Sequence, residues 1–415
     1  MPRVLLVAAT TGYQTRAFAA AARKLGFDLL LATDRCHVLE DPWGDHAIPV
    51  RFEDPLASRN ALVAAGPFGA VVAVGDRPTL VAAMTAEALG IPHNSPAAAS
   101  CCRDKYLARQ RFQAAGLPVP KFFRVPVNEN PGDAAQRAHF PCVLKPLGLS
   151  GSRGVIRAND SREFVAAFAR IRAILEGSDV LMLREEHNRF IQVESFIEGR
   201  EFALEGLVTT GRLQVLAIFD KPDPLDGPFF EETIYVTPSR ERAESREMLI
   251  QAAGRAVKAL GLTHGPVHAE LRLNHEGAWV LEVAARPIGG LCARALRFDR
   301  DMPLEELILR HAVGEDVSAA KLSDPASGVM MIPIPKGGIY EGVEGIEPAS
   351  AVACVEEVVI TAKEGQKILP LPEGSSYLGF IFARGDSAGQ VERALREAHT
   401  ALKFKIATVL PVMRV

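Results

Sequence analysis

Residues 267–286 read VHAELRLNHEGAWVLEVAAR, in which two runs of alternating apolar and polar residues flank a turn-forming segment at 274–277. This pattern predicts an antiparallel β-hairpin. Because successive side chains of a strand point to opposite faces, His268, Glu270 and Arg272 share one face and the apolar residues between them share the other. Counting outward from the turn places Glu270 and Glu282 on neighbouring strands, within about one residue of facing each other.

The two facing carboxylates indicate a cation. They destabilise a hairpin unless a positive charge lies between them. Mg²⁺ binds few carboxylate oxygens and keeps coordination positions for water and phosphate. The alternative is a pair of exposed glutamates that repel weakly in solvent, with Arg286 in a surface salt bridge beside the following turn. The hairpin therefore predicts a metal site at Glu270 and Glu282.

A glycine- and serine-rich segment follows another strand-like run. Residues 141–155 read PCVLKPLGLSGSRGV, with Lys145 at the end of the buried-type strand. Backbone N–H groups of such a turn can close over phosphate oxygens. A flexible hairpin with a solvated lysine has the same pattern, so this segment alone is a weak signal.

Residues 191–206 read IQVESFIEGREFALEG, and this segment could contact the same ligand as the glycine-rich turn. As an extended edge strand, the segment could pair its backbone with an adenine. Glu201 would then accept hydrogen bonds from ribose hydroxyls. Together with the glycine-rich turn, this predicts a nucleotide site.

The whole chain divides into α/β and α+β regions. Its first hundred residues alternate strands and helices like a doubly wound sheet, which usually carries a ligand at its strand ends. Further helices are predicted at 161–176, 244–260, 303–313 and 387–402. We expect a doubly wound α/β domain at 1–100, a small subdomain with the glycine-rich loop at 101–188, a large subdomain with the metal site at 189–318, and an α+β covering domain at 319–415.

Composition excludes several classes of function. The chain has 415 residues, a hydrophobic content of 48% and a formal charge of -3, so bulk electrostatics favour neither nucleic acid nor a membrane surface. The six cysteines, from Cys36 to Cys354, form no C-x-x-C pair, and no run is long enough for a membrane span or a signal peptide, which favours a cytoplasmic protein. P-loop, dinucleotide, serine-hydrolase and H-E-x-x-H zinc motifs are all missing.

In this order along the chain, Lys105, Lys145 with its glycine-rich loop, ESFIEGRE at 194–201 and the two hairpin glutamates resemble the ATP-grasp superfamily of carboxylate–amine ligases. The resemblance covers roughly residues 100–300 and implies an N-terminal βαβ domain and a C-terminal α+β domain. It implies Mg²⁺, with Mn²⁺ as an alternative, at Glu270 and Glu282, and contact of Arg286 with the transferring γ-phosphoryl group. The ATP-binding residues that it implies are Lys105, Lys145, Ser150, Gly151, Ser152, Glu194, Phe196, Ile197 and Glu201.

Within the superfamily, E-x-A-A-R at 282–286 and G-x-x-H-x-E at 265–270 resemble the bacterial L-amino-acid (dipeptide) ligases. Many superfamily members have asparagine where Ala284 stands, so one metal loses a side-chain ligand here. The segment DGPFFEETIYVTPS at 226–239 is similar to a substrate loop that carries a glutamate and, three residues later, a histidine. Glu232 fills the first place, and Tyr235, which is not a cation near neutral pH, fills the second.

Three further residues complete the expected site. His268 shares the face of Glu270 and could reach the phosphates, although a hydrogen-bonded sheet histidine is an equal alternative. Gly289 and Gly290 have no side chains and would leave room for an incoming amine.

The resemblance implies an ATP- and Mg²⁺-dependent ligase that joins a small carboxylate, such as an amino acid, to an amine through an acylphosphate and releases ADP and phosphate. The alternatives are a biotin-carboxylase-like or purine-pathway ATP-grasp enzyme, and a regulatory module that binds ATP without turnover. The expected partners are small molecules, with no nucleic acid and no membrane, and a homodimer is left open.

Overall fold

The N-terminal region is a four-stranded parallel sheet in the order β3-β2-β1-β4. The computed structural model describes residues 1–10, 12–34, 47–299, 301–323 and 325–408, and Cys36 lies outside this part of the chain. β4 is wholly apolar and buried, as a parallel strand covered on both faces must be. The strands are β1 (Arg3–Ala8), β2 (Asp28–Thr33), β3 (Ile48–Pro49) and β4 (Ala70–Val74), and the helices are α1 (Thr15–Leu25), α2 (Pro55–Ala64) and α3 (Pro78–Leu89). The predicted α/β alternation is confirmed.

Two short helices lead out of this region, α4 (Pro96–Arg103) and α5 (Lys105–Ala114). Ser95 accepts a hydrogen bond from the Ala98 N–H and caps α4, as its position before a proline predicts. The Asp104 carboxylate caps α5 by accepting from the N–H groups of Tyr106 and Leu107. This cap makes Lys105 the first residue of α5.

A second sheet, in the order β5-β8-β6-β7, carries the glycine-rich turn between β6 and β7. Its strands are antiparallel, and helix α7 packs its apolar face against β6 and β7. The strands are β5 (Phe122–Pro126), β6 (Cys142–Pro146), β7 (Ile156–Ala158) and β8 (Phe190–Ser195). The helices are α6 (Pro131–Ala135), α7 (Ser161–Leu175) and α8 (Ser178–Leu181), and a 3₁₀ turn spans Glu186–Arg189.

An eight-stranded sheet in the order β13-β12-β9-β10-β11-β16-β20-β18 forms the centre of the molecule. The predicted hairpin is present as β12 and β13, and Glu270 pairs with Glu282 beside a bulge in the register. The faces are as predicted, because Val267, Ala269 and Leu271 are buried in the core against helix α9 (Ala243–Leu260). The strands are β9 (Arg200–Thr209), β10 (Arg212–Asp220), β11 (Ile234–Thr237), β12 (His264–Asn274), β13 (Gly277–Ala284), β16 (Ala326–Ile332), β18 (Val355–Ile360) and β20 (Gly379–Gly385).

The C-terminal region mixes strands and helices and continues the central sheet through β16, β20 and β18. Its remaining elements are α11 (Ile346–Ser350), α12 (Ala388–Ala401), β17 (Gly338–Glu344), β19 (Lys367–Ile368) and β21 (Lys403–Ala407). Before it lie a 3₁₀ turn at Cys292–Ala295, β14 (Arg297–Phe298), β15 (Met302–Pro303) and α10 (Leu304–Ala312). The predicted α+β character is confirmed, and the domain limits stay a prediction. No helix among the described residues is both long and apolar enough to cross a membrane.

Candidate active site

Two cavities meet between the sheets. The first chamber lies between the glycine-rich turn and the β12–β13 hairpin. The second chamber lies between the N-terminal loops, the residues that follow β13 and the C-terminal region. Their shared wall consists of Leu149, Ser150, Gly151, Glu232, His268, Glu270 and Arg286.

The structure brings the predicted site residues together around these cavities. Tyr235, Gly289 and Gly290 line the second chamber, and the other predicted residues line the first. Those in the first chamber are Lys105, Lys145, Ser150, Gly151, Ser152, Glu194, Phe196, Ile197, Glu201, Glu232, His268, Glu270, Glu282 and Arg286. Their individual roles stay predictions.

Phe196 and Phe230 form an apolar surface at one end of the first chamber, with their ring centres 6.3 Å apart. The Arg272 guanidinium lies 4.9 Å from the centre of the Phe196 ring and donates a 2.6 Å hydrogen bond to the Ile197 carbonyl. The Phe196 N–H donates to the Pro141 carbonyl, which ties the segment to the smaller sheet. These contacts fix an apolar surface against which a planar aromatic group can pack.

Glu194 is the centre of a buried ion cluster. Its carboxylate accepts from Arg109 Nε at 2.6 Å and lies 2.5 Å from Lys145 Nζ. Burial by itself raises the pKa of Glu194, but Arg109 and Lys145 outweigh it and lower that pKa to about 2. The side chain of Glu194 therefore holds Lys145 in place. The predicted edge strand is wrong here, because β8 lies between β5 and β6 and Glu194 is paired with both neighbours.

Arg109 was not identified from the sequence. Its side chain is almost wholly buried and also donates to the carbonyls of Val280 and Leu281, so it joins α5 to β13. The available signal was its spacing, since Lys105 and Arg109 lie four residues apart on one helix face. An arginine on an exposed helix face gives the same pattern.

The glycine-rich turn closes against the C-terminal region. Gly151, Ser152 and Gly154 have φ values of 63°, 54° and 74°, in the left-handed region that glycine adopts most readily. The Gly154 N–H donates to the Pro372 carbonyl at 2.9 Å, and Arg153 Nε donates to the Glu373 carbonyl at 2.8 Å. The turn is thus held over the first chamber from outside.

Glu270 and Glu282 fit a divalent cation. Their side chains are 26% and 29% exposed, and both line the first chamber. The nearest cationic atoms to Glu270 are His268 Nε2 at 3.6 Å and Lys221 Nζ at 3.7 Å, and Lys105 Nζ lies 3.3 Å from Glu282. Two paired carboxylates that are partly exposed and only loosely partnered are the hard oxygen donors that Mg²⁺ takes.

A second acidic group surrounds a lysine instead. Oxygens of Glu201, Glu232 and Glu270 lie within 4.8 Å of one another, a spacing that could also hold a metal. The Lys221 Nζ atom lies among them, 2.8 Å from Glu201 and in close contact with Glu232. Burial lowers the pKa of Lys221, but the three carboxylates outweigh it and raise that pKa well above its ordinary value. The ammonium therefore takes the place of a metal here.

Lys221 was not identified as a site residue from the sequence, and the structure buries it directly after β10. Its neighbour Glu201 also accepts from Arg272 Nε at 3.0 Å. Arg272 and Glu201 are cross-strand partners on β12 and β9, so their pairing depends on strand order, which no local pattern reveals.

His268 is charged and oriented by a second cross-strand partner. Glu205, directly opposite on β9, makes a short contact with Nδ1, and Glu270 lies 3.6 Å from Nε2. Burial lowers the pKa of His268, but Glu205 and Glu270 outweigh it and raise that pKa to about 9. The other Glu205 oxygen accepts from the Ile288 N–H at 3.2 Å, so Glu205 also fixes the loop after β13.

Arg286 reaches the shared wall from the end of β13. Its Nε and Nη2 atoms donate to the two oxygens of Asp76 at 2.8 and 3.2 Å, and Nη1 donates to the Pro287 carbonyl at 3.0 Å. Asp76 follows β4, at the strand end where such sheets carry ligands, and this position was the signal that could have identified it. A guanidinium has five N–H bonds, so these three leave two for a ligand.

The second chamber receives Tyr235 from β11. Tyr235 is 2% exposed, and the Lys221 Nζ atom lies 5.1 Å from the centre of its ring. Burial and the nearby Glu232 raise the pKa of Tyr235 well above its ordinary value, so its hydroxyl stays neutral. Across the chamber, Gln14 donates a 2.5 Å hydrogen bond to the Ile288 carbonyl and fixes the loop that carries Gly289 and Gly290.

Comparison with known families agrees with this geometry. The family model of the ATP-grasp domain matches residues 138–295, which include the glycine-rich turn and both hairpin glutamates. The chain therefore contains an ATP-grasp domain over these residues. The family model of the L-amino acid ligase C-terminal domain 2 matches residues 330–407 of this ATP-grasp protein.

Solved and curated proteins are similar to the ATP-grasp chain over different lengths. The crystal structure of an L-amino acid ligase from Bacillus licheniformis is 26% identical, with a TM-score of 0.79 over 98% of this chain and 100% of that one. An alanine–anticapsin ligase from Bacillus subtilis is 30% identical over 50% of this chain and 46% of its own. An L-arginine-specific L-amino acid ligase from Bacillus subtilis is 22% identical over 89% of both chains. The chain spans about half the length of the alanine–anticapsin ligases it matches.

Proposed function

We propose that this protein is an ATP- and Mg²⁺-dependent ligase that joins the carboxylate of one amino acid to the amine of another through an acylphosphate, releasing ADP and phosphate. The observation that carries the proposal is the wall between the two chambers. A nucleotide in the first chamber and an amino acid in the second would meet at Glu232, His268, Glu270 and Arg286. The similarity to L-amino acid ligases supports it.

The nucleotide is assigned to the first chamber. Its adenine would lie against the apolar rings of Phe196 and Phe230 and beside the backbone of Phe196 and Ile197, and Glu201 would face the ribose. Lys105 and Lys145 neutralise the phosphates, and the N–H groups at Ser150, Gly151 and Ser152 close over them. Because Lys145 is held by the buried Glu194, its ammonium is positioned before the nucleotide arrives.

Glu270 and Glu282 would hold Mg²⁺. The bound ion neutralises negative charge on phosphate oxygens. Ala284 supplies no ligand, so the proposal needs only the two glutamates from the protein.

The first chemical step transfers the γ-phosphoryl group. An oxygen of the substrate carboxylate attacks γ-phosphorus, the bond to the β–γ bridging oxygen breaks, and ADP leaves. The two free N–H bonds of Arg286 and the charged imidazolium of His268 stabilise negative charge that spreads over the transferring group.

The second step forms the amide bond. The amine nitrogen attacks the acyl carbon, the bond from that carbon to the phosphate oxygen breaks, and inorganic phosphate leaves. The amine must lose a proton, and Glu232 accepts it. Burial and the nearby Glu270 and Glu201 raise the pKa of Glu232 against the effect of Lys221, so it is a stronger base than an exposed glutamate. Gly289, beside which no atom lies within 4 Å of a Cβ position, leaves room for the amine, and Tyr235 forms the neutral floor.

The test is phosphate release from ATP and Mg²⁺ in the presence of pairs of amino acids, with mass spectrometry of the products. We expect release that depends on both amino acids, with a dipeptide as the product. Nucleotide binding without release for any pair of amino acids would contradict the proposal and favour a regulatory module. Release with bicarbonate in place of an amino acid would favour the carboxylase branch.

A further inference from the structure

The charged groups of the second chamber are already paired. Among the described residues that line it, the charged side chains are Asp76, Arg77, Glu232, His268, Glu270 and Arg286. Asp76 pairs with Arg286, Glu232 with Lys221, and His268 with Glu205 and Glu270. Arg77 lies 3.3 Å from Glu185 and within 4 Å of Asp34 and Glu53. Each of these charged groups already has at least one partner of opposite charge, so a charged side chain that entered the chamber would compete with an existing pair.

The rest of the wall is mainly aromatic and aliphatic. Phe380 lies at its centre, with the Tyr13 ring 5.8 Å away and the Tyr377 ring 6.1 Å away between centroids. Met331 and Ile288 complete this surface, which we call the aromatic wall. Tyr13 comes from the N-terminal region, whereas Tyr377, Phe380 and Met331 come from the C-terminal region.

The aromatic wall faces the place assigned to the amino acid. A Cβ atom on Gly290 would lie 3.1 Å from two atoms of the Phe380 ring, so the glycine lets the ring approach the loop after β13. This loop begins at Arg286, where the reacting groups would meet. The side chain of an amino acid whose carboxylate or amine reaches Arg286 would therefore extend toward Phe380.

We propose that the second chamber selects an amino acid with an apolar or aromatic side chain and rejects charged ones, an inference that rests on the proposed amino-acid ligase function. Apolar side chains bury surface against Phe380, Tyr377 and Met331. Charged side chains lose their hydration without gaining a partner, which makes their transfer unfavourable. The paired state of Asp76 and Glu232 is decisive, because an unpaired carboxylate at either position would attract arginine or lysine.

The test is equilibrium dialysis of single amino acids against the full-length protein with Mg²⁺ and a non-hydrolysable ATP analogue. We expect L-phenylalanine and L-leucine to bind at least about tenfold more tightly than L-arginine, L-lysine or L-glutamate. Equal or tighter binding of a charged amino acid, or no binding of any amino acid, overturns the proposal. Binding without phosphate release in the turnover assay keeps this proposal and contradicts the ligase function, so the two failures are distinct.

A charge-switch variant sharpens the test. Met331→Glu places an unpaired carboxylate in the aromatic wall, and Met331→Gln has the same shape without the charge. We expect the ratio of L-arginine to L-phenylalanine affinity to rise about tenfold in Met331→Glu and to change little in Met331→Gln. Unchanged ratios in a folded Met331→Glu, checked by thermal unfolding, contradict the proposal. If Met331→Glu does not fold, the dialysis of single amino acids against the wild-type protein decides whether the proposal holds.

Discussion

Asp76 and Arg286 lie 210 residues apart and are joined by two parallel hydrogen bonds, from Nε at 2.8 Å and Nη2 at 3.2 Å. Burial by itself raises the pKa of Asp76, but Arg286 outweighs it and holds that pKa below its ordinary value. The carboxylate is therefore ionised, and the guanidinium is fixed in one orientation. A residue of the N-terminal sheet thus positions an arginine of the central sheet.

Asp76→Asn should lower kcat by about tenfold to a hundredfold, because a group that orients another often contributes this much. KM for ATP should change little, since Asp76 does not line the first chamber. Steady-state phosphate release measures both constants. Asp76→Glu keeps the charge and should retain more activity than Asp76→Asn. Equal kcat values for wild type and Asp76→Asn would show that the ion pair is only structural.

Glu270→Gln and Glu282→Gln should each abolish Mg²⁺-dependent turnover, because an amide lacks the negative charge that holds the ion. Phosphate release is measured over a range of Mg²⁺ concentrations. Glu276→Gln, in the exposed turn of the same hairpin, is the matched control and should behave like wild type. Normal activity in either of the first two variants would remove the metal assignment.

His268 makes stability depend on pH. Its pKa is raised to about 9 from an ordinary 6.5, so its contribution is fully present below about 6.5 and is lost as the pH rises through 9. The shift corresponds to on the order of 3 kcal/mol. We expect the free energy of unfolding of wild type to exceed that of His268→Gln at pH 6 by about this amount, and the difference to shrink by pH 10.

Urea unfolding at several pH values checks this expectation. His275→Gln, an exposed histidine in the same hairpin, is the control and should follow wild type across the range. A difference between wild type and His268→Gln that grows with pH would contradict the assignment of a charged His268.

Lys221→Met should destabilise the fold by about 3–5 kcal/mol, because it leaves buried carboxylates without their cation. Denaturant unfolding at neutral pH measures the loss. Burial raises the pKa of Glu232, so lowering the pH protonates this carboxylate in the variant and part of the loss should be recovered at pH 5. Lys258→Met, in the last turn of α9, is the control. A variant as stable as wild type would mean that the carboxylates find other partners.

Arg109→Met should weaken ATP binding without removing any nucleotide contact. Arg109 holds Glu194, and Glu194 holds Lys145, so the variant frees the lysine ammonium to move. We expect Kd for ATP to rise about tenfold, with a loss of stability of about 3 kcal/mol, since the buried Glu194 loses one of its partners. Arg111→Met, on the same helix, is the control. Isothermal titration calorimetry measures binding. An unchanged Kd would contradict the positioning of Lys145 by Arg109 through Glu194.

The β12–β13 hairpin could be predicted from the sequence alone. Alternation and the turn at 274–277 predicted the faces of β12 and the pairing of Glu270 with Glu282, and both are confirmed. Local patterns suffice here because a hairpin's register depends on its own turn. The glycine-rich turn and the helices near 161–176 and 244–260 were predicted for the same reason.

By itself, the sequence determined the local elements and the α/β and α+β character of the regions, and its resemblance to a known family indicated many of the residues that line the first chamber. Only the tertiary structure decided which charges meet. Asp76 with Arg286, Glu205 with His268, and Lys221 with its three glutamates are pairings between distant segments. Strand order and loop packing create them, and the same local sequence leaves Lys221 either solvated or buried. Whether Lys221 is solvated or buried changes the free energy of its charge. The cost of burying the charge must be offset by a partner of opposite charge, and only the assembled fold supplies that partner.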